Sequence, residues 1–305
     1  VQVQDTTPPD WITKPVNQVL EYGTALNYQI PVMDLSGVDH WTLNDTSHFS
    51  LSTTYYQGWG STAQITSTGT LSLGNYGLNL TVYDNYDNGR FVTFTVIVQD
   101  TTPPTWITAP TNQVIELGSA FSYDLDATDT VGLQQWSIND TTRFAIDADG
   151  VITSLDPLPV ATYGLRVQIT DTSNNPLIGT FSVKVQDTTP PAWVILPSDQ
   201  SLAYGQALEY QVEAYDLSGI AQWTISDTAH FAIDATGLIT SVGLLQVDSY
   251  DLNVTATDPY GNAISRLFTV TVESPPPIDP MILLLGVVIA IILVVAVIVV
   301  IRRRK

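Results

Sequence analysis

Cysteine is absent from all 305 residues. No disulfide can staple this chain, so its stability must come from packed cores, prolines or bound ions. That absence argues against an animal secreted protein and points to a prokaryotic surface protein. Basic residues are scarce. Residues 1–280 hold all 30 acidic residues but only six basic ones, at Lys14, Arg90, Arg143, Arg166, Lys184 and Arg266. Such a surface repels phosphates, which excludes nucleic acid as a partner, while divalent cations or a salty exterior suit it. Histidine occurs three times, at His40, His48 and His230. His48 and His230 share a repeat position that Arg143 fills in the second copy, which suits a satisfied surface pair better than catalysis. No glycine-rich phosphate loop and no zinc-ligand spacing is present, so the chain reads as not an enzyme. Nor does any amphipathic helical period appear in 1–280.

What is present is a phrase, Asp-Thr-Thr-Pro-Pro, at residues 5–9, 100–104 and 187–191, spaced by 95 and 87 residues. Each copy is followed by a tryptophan, Trp11, Trp106 or Trp193, expected to wedge the joint. Paired prolines hold an extended, stiff backbone, so the phrase reads as a joint between tandem domains. Trp41, Trp136 and Trp223 keep the same spacing, as do Phe49, Phe144 and Phe231. From Tyr76, Tyr163 and Tyr250 onward the spacing is 87 throughout, so repeat one carries eight extra residues between Phe49 and Tyr76. Apolar residues alternate with polar ones, as in Tyr250, Leu252, Val254 and Ala256, and again in Phe268, Val270 and Val272. That period of two, broken by turns, predicts half-buried antiparallel strands and about seven per repeat.

The expected organisation is the end of a missing upstream repeat at 1–4, then β-sandwiches at 5–99, 100–186 and 187–273, and a proline-rich spacer at 274–280. Residues 281–301 carry no charged or polar side chain. As a helix they would span roughly 31 Å, enough to cross a bilayer core and contact membrane lipid. The basic tail 302–305 then lies in the cytoplasm and the sandwiches outside the cell membrane. The missing initiator methionine and signal peptide say nothing about export.

Residues 231–240 and 250–262, echoed at 144–153 and 163–171, resemble cadherin-like and Ig-like repeats of bacterial and archaeal surface proteins, which implies a prokaryotic and, of the two, an archaeal source. The Asp-Thr-Thr-Pro-Pro joint is similar to that of hyalin-type and bacterial Ig-like repeats. The resemblance covers about residues 5–273. It implies an all-β chain of three tandem Greek-key sandwiches, followed by the one C-terminal transmembrane helix, working in adhesion or display.

The acidic residues track the joints. Asp34, Asp129 and Asp216 share one loop position, and Asp84, Asp171 and Asp258 follow the tyrosine strand. Glu21 and Glu116 recur, but Ala203 stands there in repeat three; the joint residues Asp100 and Asp187 give way to Ser274. Carboxylates kept only where one repeat meets the next suggest two clusters, Glu21, Asp100, Asp129 and Asp171, and Glu116, Asp187, Asp216 and Asp258. Such clusters repel unless a cation such as calcium sits among them. The pattern departs from that of cadherins: there is no Asp-Arg-Glu-like motif, and Asp156 is a lone acid. The alternative is that each aspartate caps a turn.

Tyr55, Tyr56 and Trp59 in the insertion are a candidate ligand loop, with a hairpin packed on itself as the other reading. Trp41, Trp136 and Trp223 read as core fillers ahead of sugar platforms. Asn44, Asn79, Asn139 and Asn253 stand in glycosylation sequons. Two functions follow. One is a single-pass surface protein whose extracellular rod binds another surface protein or a glycan and is stiffened by calcium. The other is a passive stalk or envelope-layer anchor presenting a missing N-terminal domain, an enzyme among the possibilities.

Overall fold

The computed structural model describes residues 3–275 and, beyond them, only 289 and 291–294, which are helical. The expected span 281–301 otherwise lies outside the described residues, as do 276–280 and the tail 302–305. Among the described residues no helix is long and apolar enough to cross a membrane. Packing divides the chain into two compact units. The first is Val1–Gln113, Ala120–Asp156 and Thr162–Val183; the second is Val114–Ser119, Pro157–Ala161 and Lys184–Lys305.

In the first unit, eight strands build the first sandwich: β1 (Asp10–Trp11), β2 (Gln18–Glu21), β3 (Asn27–Met33), β4 (Val38–Leu43), β5 (Phe49–Tyr56), β6 (Gly60–Ser67), β7 (Gly74–Asp84) and β8 (Gly89–Gln99). One sheet runs β1-β3-β6-β5, the other β2-β8-β7-β4. β2 is parallel to β8. The predicted alternation sets the facing. Leu78, Leu80 and Val82 on β7 and Phe94, Val96 and Val98 on β8 point into the core beside Ile30, Phe49 and Ile65. Burying side chains of this size contributes about 1.5–3 kcal/mol each.

In the second unit the strands Gln200–Ala203, Ala263–Glu273, Ser249–Thr257 and Gln222–Ile225 form one sheet. Glu209–Gln211, Leu238–Ser241 and Phe231–Ile233 form another. Phe231, Ile239, Leu252 and Val254 are fully enclosed there. Ala192–Ile195 pairs separately with Glu213–Tyr215.

The joint tryptophans differ from expectation. Trp11 packs on Trp41 of its own repeat, ring centroids 6.0 Å apart; Trp106 on Trp136 and Trp193 on Trp223 do the same at 5.8 Å. Two large apolar rings gain more by covering each other at the sandwich end than by exposure at a joint. Trp41 is buried and its Nε1 donates to Ser61 Oγ, so it is a core residue and not an open platform.

The eight-residue insertion lengthens one hairpin. β5 and β6 have eight residues each, against three in Phe144–Ile146 and four in Val151–Ser154. β6 therefore offers β3 an unbroken ladder from Asn27 to Met33. In the third repeat the corresponding strand breaks at Val212 into Glu209–Gln211 and Glu213–Tyr215, which join different sheets.

Candidate metal centres

Three triads of carboxylates form, each from a joint aspartate, a loop aspartate and a hairpin aspartate. They are Asp5, Asp34 and Asp84; Asp100, Asp129 and Asp171; and Asp187, Asp216 and Asp258. Within each triad one ligand oxygen per residue lies within 4.8 Å of the others. Six of the eight sequence-derived candidates thus come together as two of these triads. The triad at Asp5 has the same make-up and was legible in the same spacing.

The hairpin aspartate is held by its own turn. Asp171 Oδ1 accepts the main-chain N–H groups of Ser173 and Asn175, both at 2.8 Å, and Oδ2 accepts the Asn175 amide at 2.7 Å. Asp84 with Asn88 and Asp258 with Asn262 repeat the arrangement. The same asparagine amide reaches the carbonyl of the joint aspartate. Asn88 bonds Asp5 at 3.3 Å, Asn175 bonds Asp100 at 3.1 Å, and Asn262 bonds Asp187 at 3.1 Å. Asn88, Asn175 and Asn262 are therefore brackets between hairpin and joint. Their signal was an asparagine four residues after each hairpin aspartate.

The loop and joint aspartates also cap turns. Asp34 Oδ1 takes the N–H and hydroxyl of Ser36, Asp216 Oδ1 those of Ser218, and Asp129 Oδ1 the N–H of Val131. Asp100 and Asp187 each accept an N–H at 3.2 Å, from Thr102 and Thr189. The aspartates thus cap turns and cluster at once. The Oδ2 atoms of Asp100 and Asp187 are buried with no hydrogen-bond partner. Asp187 is 8 % exposed, and Asp171 and Asp258 are more deeply buried still. At this separation two carboxylates repel by about 3 kcal/mol at an effective dielectric of about 20. Burial opposes the charge on Asp258. The amide of Asn262 and the main-chain N–H groups of Asn262 and Tyr260 outweigh it and hold the carboxyl below its ordinary pKa. Negative charge on this hairpin residue is therefore favoured, and an all-oxygen donor set with an orphaned buried oxygen fits a hard divalent cation.

Glu21 and Glu116 stand apart from these triads. Glu21 clamps the joint itself, accepting the Thr101 N–H at 2.7 Å and the hydroxyls of Thr101 and Thr102 at 2.9 and 2.8 Å. Glu116 takes the Thr188 N–H at 2.5 Å and the hydroxyls of Thr188 and Thr189 at 3.0 and 3.1 Å. The Thr188 N–H in one case and the Thr101 N–H in the other, aided by the hydroxyls, draw the pKa of each carboxyl down. Glutamate tracks the joints because the two threonines of the phrase need an acceptor. After repeat three there is no such phrase, and Ala203 suffices.

The remaining candidates fall as follows. Tyr55, Tyr56 and Trp59 are exposed near the tip of the long hairpin. The Tyr55 hydroxyl donates to the Asp39 carbonyl, and the Trp59 carbonyl accepts the Asp34 N–H. Asn44 is bound at both amide atoms, to the Gly77 carbonyl and the Asn79 N–H, and Asn139 is similarly bound to Gly164 and Arg166. These two staple strands together. Asn79 is exposed on β7 and Asn253 is half-buried. His48, Arg143 and His230 each pair with an aspartate three residues earlier, Asp45, Asp140 and Asp227, at 2.8, 3.0 and 2.7 Å.

No family model and no curated protein matches the chain. Solved structures do. A three-domain Ig fragment of titin, I67–I69, is 13% identical over 88% of this chain and all of its own, with a TM-score of 0.39. The titin domains Z1Z2, solved in complex with telethonin, are 14% identical over 61% of this chain and all of theirs, at 0.41. Drosophila N-cadherin EC1–3 is 16% identical over 86% of this chain and 99% of its own, at 0.37.

Proposed function

We propose that this chain is the repeat-built outer part of a single-pass surface protein that acts in adhesion or recognition, with calcium held by the aspartate triads at the joints. The observation that carries the cation is the Asp187 Oδ2 atom, buried without a partner among the carboxylates of Asp216 and Asp258. A calcium ion there would neutralise the mutual repulsion and tie the joint, through Asp187, to the loop and hairpin of the repeat that follows it. Asp100 would do the same with Asp129 and Asp171. The apolar run 281–301 would anchor the chain in lipid, with the tail 302–305 inside. Thermal melting in calcium and in chelator tests the site. Binding to the folded state alone raises stability, by about 2.7 kcal/mol at a hundredfold excess over Kd. An unchanged midpoint at millimolar calcium would remove the cation from the proposal.

The glutamate clamps favour a second reading, a passive stalk or envelope anchor. Glu21 and Glu116 fix their joints by hydrogen bonds that need no cation. Beads coated with the chain separate the two readings. Aggregation that chelator abolishes supports adhesion, and its absence supports the stalk.

A further inference from the structure

The long hairpin of the first repeat leaves one strand edge open. β5 ends its sheet, with β6 on one side and, among the described residues, no strand on the other. It runs eight residues, Phe49–Tyr56, and Ser50, Ser52, Thr54 and Tyr56 along it are exposed. An edge strand presents unpaired main-chain donors and acceptors, and proteins usually blunt it by shortness, charge, proline or a bulge. None of these is present here. The strand pairs with β6 in unbroken register. Residues 49–83 contain no charged side chain, in a chain of net charge −20. The sibling edges are blunted. Phe144–Ile146 and Phe231–Ile233 have three residues each, and aspartates follow them at Asp147, Asp149 and Asp234.

The end of β5 is also apolar. Tyr56, Trp59, Met33 and Ile12 are 58, 57, 41 and 58% exposed and line one groove of about 210 Å³. Large aromatic residues of this kind are enriched where proteins meet. The neighbouring carboxylates of Asp39 and Asp45 are each bonded to a histidine, His40 and His48.

We propose that β5 pairs antiparallel with β5 of a second copy of this chain. A strand paired with itself this way is self-complementary about a two-fold axis, so one edge serves both copies. Charge selects the occupant. Two copies this acidic repel over most of their surface, and the uncharged hairpin is where they approach without that cost. The strand offers no charge with which to attract a basic or acidic foreign segment. The pairing is independent of the calcium proposal, since none of the triad aspartates lies on β5.

The chain has no cysteine, so a single introduced one reports proximity cleanly. Ser52→Cys, near the strand middle, is compared with Ser137→Cys, exposed on the edge strand Leu133–Ile138, using the full chain in neutral detergent. The expected result is a covalent dimer that forms several-fold faster from S52C than from S137C under the same oxidant. Sedimentation should give twice the chain mass for the unmodified protein. The double variant S52D/T54D, which sets carboxylates opposite one another, should sediment as the single chain, with a far-UV circular dichroism spectrum like that of the unmodified protein to show that it still folds. Equal cross-linking rates, a monomeric unmodified chain, or a dimer that survives S52D/T54D would each overturn the proposal. The last of these would place the contact elsewhere, the segment 281–301 included.

Discussion

Glu21 and Glu116 hold charge in place for a purpose that pH can expose. Each carboxylate accepts three hydrogen bonds from the threonines of the next joint, and its folded pKa lies below the ordinary 4.5. A depressed carboxyl adds stability above its unfolded pKa and loses it as pH falls through the folded value. The clamps should therefore weaken below about pH 4.5. The double variant E21Q/E116Q should melt lower than the unmodified chain near neutrality and converge with it as the pH falls through the lowered carboxyl pKa; a constant gap across a pH series of melting curves would refute the clamp. The brackets act at the same scale. Asn175→Ala removes an amide that ties Asp171 to the Asp100 carbonyl, and should cost about 1–3 kcal/mol, since it leaves a buried carboxylate oxygen without a donor. Urea unfolding would measure it. The aspartates of both sequence-derived triads were legible because their positions recur at fixed spacing in each repeat. The partner of the glutamates was not. Co-occurrence with a joint is the same pattern whether the acid binds a cation or a threonine, and only geometry separates them.

Among the elements, the hairpins carry the fold and the insertion decorates it. The alternation in residues 250–256 and 268–272 announced two long paired strands, and the core follows from it. Phe231 sits fully buried where the two layers meet, so Phe231→Ala should cost about 3–5 kcal/mol in chemical denaturation. Trp59 is exposed in the turn between β5 and β6, and Trp59→Ala should stay within about 0.5 kcal/mol in the same measurement. A large loss there would mean that the hairpin tip is part of the core. The insertion was visible in the sequence as eight residues out of register, but its consequence for β3 was not. A strand stays whole or breaks according to the ladder beside it. At Val212 the sheet change is set by a partner some 25 residues away in the chain, at Gly237, whose carbonyl receives the Val212 N–H. Local residue preference carries little information about such a pairing.

For the whole molecule the deciding quantity is charge, and it yields a test that separates screening from binding. A chain of net charge −20 repels itself, so any salt should stabilise it to some degree. The Debye length shrinks from about 10 Å at 0.1 M to about 3 Å at 1 M, which suppresses repulsion between exposed, distant carboxylates. The triads differ from that background, because their oxygens lie within 4.8 Å of each other and several are buried, where mobile ions screen poorly. If calcium acted only as salt, sodium chloride at equal ionic strength would raise the melting midpoint as much. If calcium occupies the triads, the rise should be larger, should saturate, and should fall in Asp171→Asn and Asp258→Asn, each of which removes one hairpin carboxylate. Asn should keep part of the turn, since its side-chain carbonyl can still accept the main-chain N–H groups that Asp171 Oδ1 takes. The calcium-specific increment, and not the midpoint in chelator, is therefore the informative readout. Equal increments for both salts, unchanged by D171N and D258N, would leave the triads as turn caps and the joints held by the glutamate clamps and the asparagine brackets without a cation.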